Sequence, residues 1–63
     1  MHKVHEVYVY AKAIEKVLLI GHYETEDEAK EKVKKLKDSG ETEVYTKTCL
    51  MDEYTFNFAM RYL

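Results

Sequence analysis

Four side chains carry the donors from which metal sites and nucleophilic centres are made: His2, His5, His22 and Cys49. Imidazole nitrogens and a thiolate suit zinc, but a structural site needs about four ligands at coordinated spacing. No two of these residues stand at C-x-x-C or H-x-x-x-H spacing, and His2 lies at a terminus prone to fraying. The expectation is therefore no metal, with His5 and His22 as the weak candidate donors should a hairpin bring them face to face. Cys49 beside a histidine would make a nucleophile and base. Its neighbours Thr48 and Leu50 supply no glycine-rich turn or oxyanion hole, and a lone cysteine is more often a small buried hydrophobe. The acidic groups Glu26, Asp27, Glu28 and Asp52, Glu53 fall at expected helix starts, where the helix dipole accounts for them. The sequence thus reads as non-enzymatic, with no catalytic residue and no cofactor.

Two other residue classes can make contacts with a macromolecule. The lysines at 30, 32, 34, 35 and 37 are half of the ten basic residues. Lys30, Lys34, Lys35 and Lys37, with tyrosines that stack on bases, would form a nucleic-acid surface. Against that reading, Glu24, Glu26, Asp27, Glu28 and Glu31 dilute the potential, and the net charge is -2. A solvated helix face is the simpler account. The aromatic class is denser. Tyr8, Tyr10, Tyr23, Tyr45, Phe56, Phe58 and Tyr62, with Met51 and Met60, belong to types enriched at protein interfaces, and the same rings are also core formers. The expected contact set is Tyr8, Tyr10, Phe56, Phe58, Met60 and Tyr62.

With 63 residues the chain is one domain, 1–63, whose short length limits how much surface folding can bury. A single cysteine excludes an intramolecular disulfide, so a partner subunit is the natural support for so small a core. The longest apolar run, "VLLIG", is far below the roughly 20 residues of a membrane span. The N-terminus lacks a signal-peptide pattern, so the expected location is cytoplasmic.

The elements that must position these residues read as follows. Thr25 and Glu28 form a capping box, acids lead and lysines follow, and Gly40 marks a stop, which predicts a helix over about 26–38. Ala29, Val33 and Leu36 make its apolar stripe, and Glu26–Lys30, Glu28–Lys32 and Glu31–Lys35 are i,i+4 pairs. "KVHEVYVYA" and "KVLLIGHY" read as a hairpin through "KAIE", a turn weakened by having neither Asn nor Gly. A turn centred on Ala13 and Ile14 sets Val9 opposite Leu18 and His5 opposite His22. Alternation then gives one face to Val7, Val9, Ala11, Leu18 and Ile20, and the other to Val4, Tyr8, Tyr10, Val17, Leu19 and Tyr23. "TEVYTKTCL" is a third strand.

The tail "EYTFNFAMRYL" is ambiguous. Tyr54, Phe56, Phe58, Met60 and Tyr62 alternate as in a strand, yet Asp52 can cap a helix, Glu53 and Arg61 suit its dipole, and Met51 and Phe56 hold staple positions. A helix is favoured, in which Phe56 and Met60 point away from Phe58. The expected fold is α+β: a small two-layer ββαβα domain with a three-stranded antiparallel sheet in order 2-1-3, or ββαββ if the tail is a fourth strand. The expected function is a protein-interaction module, most simply a homodimer, with nucleic-acid binding as the alternative.

Overall fold

The computed structural model describes residues 1–62, for the last of these the backbone alone. The chain runs β1 (His2–Ala11), β2 (Lys16–Tyr23), α1 (Glu26–Asp38), β3 (Val44–Met51) and α2 (Glu53–Tyr62). The strands form one open antiparallel sheet in the order β2-β1-β3. Element order, strand order and the helical tail agree with the sequence reading, and the tail does not add a fourth strand.

Local chemistry fixes both helices. Thr25, extended at φ -120 and ψ 152, accepts the Glu28 N–H on its Oγ1 at 3.2 Å and donates its hydroxyl to Glu28 Oε1 at 2.9 Å. The box therefore closes through the hydroxyl. Glu28 is thus engaged at the cap, and Glu26–Lys30 closes at 3.1 Å as an i,i+4 pair. At the other end Gly40 takes φ 106, Gly40 N–H donates to Lys37 C=O (3.1 Å) and Glu41 N–H to Leu36 C=O (3.0 Å). These two bonds make a Schellman motif, which needs a residue free to enter the left-handed region. In α2, Asp52 accepts the Thr55 N–H at 2.7 Å as N-cap.

The hairpin turns through the expected "KAIE" loop and departs from the expected geometry in one place, further along the ladder. Its ladder ends at Ala11–Lys16, leaving a four-residue loop, Lys12 to Glu15, in which Ile14 N–H donates to Ala11 C=O and Glu15 sits at φ 52. Glu15 occupies a backbone region that a glycine or asparagine would enter at lower cost. The departure is a bulge. Tyr8 pairs with Leu19, but Val7 pairs with Gly21, so Ile20 is one residue too many on β2. Every pair beyond it is shifted: Glu6, not His5, faces His22, and His5 faces Tyr23. A one-residue shift reverses which face a side chain occupies. His22 therefore leaves the α1 side for the other, and Tyr23 makes the opposite exchange, which corrects the face assignment made from alternation alone.

The two helices lie on opposite faces of the sheet. Ala29 and Leu36 of α1 meet the face of β1 that carries His5, Val7 and Val9, as the shared cavity linings with Thr46, Thr48, Leu18 and Ile20 indicate. α2 folds back over the other face, where the His2 and Phe56 rings stack at 3.9 Å and 11°. Among the described residues the buried apolar ones are Val4, Val7, Val9, Ala29 and Ala59, of which Val4 and Val7 are fully enclosed. Each helix thus sets an alanine against the sheet, which allows close approach. Among the described residues no ring is buried to this degree, so the rings, which could also have formed the core, lie around this innermost volume.

Candidate functional site

The α2 side of the sheet divides into two halves. Near the ends where β1 begins and β3 ends, α2 covers His2, Val4 and a polar pair. His22 Nε2 and Glu6 Oε2 are 3.0 Å apart, with only 7% and 12% of the two side chains exposed. Glu6 is the centre of this group, because the Tyr8 hydroxyl and the Cys49 thiol also bear on its carboxylate. Burial, and then Glu6, push both Tyr8 and Cys49 up from their ordinary values. A nucleophilic cysteine needs the opposite shift. His22 faces Glu6, not Cys49, across the ladder, and its Nδ1 is buried without a hydrogen-bond partner.

His5 is elsewhere. It lies on the α1 face with its Nδ1 3.0 Å from Thr48 Oγ1, so His5 and His22 point to opposite sides of the sheet and do not make a shared donor pair. Among the described residues no three His, Cys, Asp or Glu side chains gather as metal ligands. At the edge of the covered half, His2 Nε2 meets Glu53 Oε2 at 2.6 Å and holds that carboxyl below its ordinary value. The first turn of α2 is thereby tied to β1 by one side-chain hydrogen bond and one ring stack.

Beyond the polar pair the sheet face is open. Tyr8 stands between Leu19 of β2 and Tyr45 of β3, and Tyr10 is opposite Val17, so the cross-strand pairs put these five side chains on one surface. Tyr45 is 52% exposed and Val17 57%, while Tyr8, Tyr10 and Leu19 are half-buried. The row Leu19, Tyr8, Tyr45 crosses all three strands and ends at the free edge of β3.

The expected contact set is split by this geometry. Tyr8 and Tyr10 lie on the open half. Phe56 turns inward onto His2, Met60 is half-buried, and Phe58 turns outward with Tyr54, Asn57 and Arg61 along the far side of α2. Tyr62 ends α2, and its side chain lies outside the described residues. Helical spacing explains the division, since 56 and 60 share one face and 54, 58 and 61 another. The lysines at 30, 34, 35 and 37 are on α1, across the sheet from Tyr8 and Tyr10, so they do not form one surface with those rings. What sequence reasoning missed was the Glu6–His22 pair. Its one local signal was Gly21 inside a strand, a common mark of a bulge.

A cavity of about 490 Å³ opens on the α1 side, where Leu36 ends the helix stripe and leaves Leu18 and Ile20 partly uncovered beside the buried Val9; Lys12, Glu41 and Glu43 also line it. No helix among the described residues is long and apolar enough to cross a membrane. Comparison with protein-family models, curated proteins and solved structures finds no match.

Proposed function

We propose that this protein is a protein-interaction module that works as a homodimer, with the open half of the α2 side as its contact surface and the cytoplasm as its location. The observation that carries the reading is the aromatic row of Leu19, Tyr8 and Tyr45, flanked by Tyr10 and Val17, which no element among the described residues covers and which runs to a free strand edge. Tyrosine rings give large contact area at low entropic cost. The small buried core, three valines and two alanines among the described residues, adds a thermodynamic reason for a second chain. A free cysteine whose thiol is held protonated fits a reducing compartment and a non-enzymatic role.

Sedimentation equilibrium over a concentration series tests this reading. The expected result is a dimer mass for the full chain, with weaker association for Tyr45→Ser. A monomer mass at every concentration would remove the homodimer.

A further inference from the structure

The open edge of β3 specifies how two copies would join. Tyr10 N–H donates to the C=O of Glu43, the residue directly opposite, at 3.0 Å. In an antiparallel ladder the residues that turn their N–H and C=O toward the neighbour alternate with those that turn them away. Tyr45, Lys47, Cys49 and Met51 therefore bond to β1, and Val44, Thr46, Thr48 and Leu50 present their backbone groups to the outside. Tyr45, Thr46, Lys47 and Thr48 are all exposed, as is Leu50, and β3 pairs with β1 without a bulge. The other edge, β2, carries the bulge at Ile20 and Gly21, which interrupts a regular pairing surface. An uninterrupted strand edge accepts another strand by main-chain hydrogen bonding.

We infer that β3 pairs antiparallel with β3 of a second copy about a two-fold axis at Thr48, joining the two sheets into one of six strands. The inference rests on the reading of the protein as a homodimer and places the join at the β3 edge, where Tyr45 alone of the aromatic row enters the contact. Symmetry restricts the choice. Side-by-side antiparallel strands related by a two-fold axis keep the same faces on the same side, so outward-bonding residues must meet outward-bonding residues. Two registers meet this condition with the greatest overlap of the strand. One places Lys47 directly against Lys47 of the other copy, a like-charge opposition that destabilises a sheet. The other places Thr48 against Thr48, Thr46 against Leu50, Lys47 beside Cys49, and Tyr45 beside Met51, with no like charges opposed. The second register also covers Leu50, which is 63% exposed on β3, and sets an aromatic ring against a thioether. In this assembly the Leu19, Tyr8, Tyr45 rows of both copies lie on the same side of the joined sheet.

Two variants test the register. Thr48→Pro removes an N–H that faces away from β1, so the internal ladder keeps its bonds, and proline is tolerated at such edge positions. Across the axis both copies lose that donor, and the dissociation constant should rise roughly tenfold or more. Thr48→Cys in a Cys49→Ala background puts two thiols across the axis, where opposed hydrogen-bonded residues have Cα atoms about 5.5 Å apart, within disulfide range. Mild oxidation should give a covalent dimer, and Thr46→Cys in the same background should give much less. A dimer that Thr48→Pro leaves unchanged and Thr48→Cys does not trap would overturn the β3 pairing while leaving the homodimer in place. A monomer at every concentration would overturn both.

Discussion

Removing either member of the Glu6–His22 pair should destabilise the protein, and removing both should restore most of the loss. The two side chains are about nine-tenths buried beneath α2 and sit 3.0 Å apart. Glu6→Leu leaves His22 with both ring nitrogens lacking a partner, since Nδ1 already has none, and it also takes the acceptor from the Tyr8 hydroxyl. His22→Leu leaves a buried carboxylate with Tyr8 and Cys49 against it and the exposed Lys47 opposite it on β3. Each single change should cost about 2 kcal/mol, the penalty of a buried polar group left unsatisfied. The double change to leucine replaces the pair by apolar groups and should cost about 1 kcal/mol, giving a coupling of roughly 3 kcal/mol. For a chain of this length, total stability is on the order of 3–9 kcal/mol, so the single variants should show a large shift in urea midpoint. The assay is urea unfolding at neutral pH for the four members of the cycle, with His5→Leu as a control on the other face. Additive single losses, or a loss for His5→Leu equal to that for His22→Leu, would refute both the bulge and the pairing it creates.

Other outcomes follow from the backbone and the caps. Glu15→Gly should stabilise the protein by about 1 kcal/mol, because it relieves a left-handed residue in the hairpin loop, whereas Gly40→Ala should cost a similar amount through strain alone, there being open space around its Cβ position. Thermal unfolding reads both signs. Asp52 is held below its ordinary value by the Thr55 N–H, Glu53 by His2 and Glu26 by Lys30. A depressed carboxyl contributes stability that is present above its unfolded pKa and disappears as pH falls through the folded one. Helicity should therefore decline below the ordinary values of 3.8 and 4.5, and Asp52→Asn, which keeps a capping side chain, should remove the share due to Asp52. Burial raises Tyr8 and Tyr23, so an absorbance titration should find them ionising after exposed tyrosines, with stability falling as pH rises through their folded values.

The parts of this fold that could be read from sequence are those specified within a few residues. α1 begins at Thr25 and Glu28 and stops before Gly40, and each signal corresponds to an observed hydrogen bond or dihedral angle. For α2 the alternation of rings also fitted a strand, and the Asp52 cap was the signal that decided correctly. The hairpin was harder. Its loop uses Glu15 where a glycine would have announced the turn, and a bulge leaves the apolar pattern almost intact while shifting every pair beyond it. Position on the open face was legible for Tyr8 and Tyr10, which precede the bulge on the regular strand. It was not legible for His22 or Tyr23. The inward turn of Phe56 depended on His2, far away in sequence, and no local pattern announces a stack of that kind.

Amide hydrogen exchange along β3, followed by NMR at two protein concentrations, tests the central claim of a dimer joined at this edge. The N–H groups of Lys47 and Cys49 face β1 and should be protected at both concentrations. If two copies pair as inferred, those of Thr46, Thr48 and Leu50 become protected as concentration rises into the dimer range. Fast exchange at Thr46, Thr48 and Leu50 at every concentration, with Lys47 and Cys49 protected, would show a free edge and contradict the account.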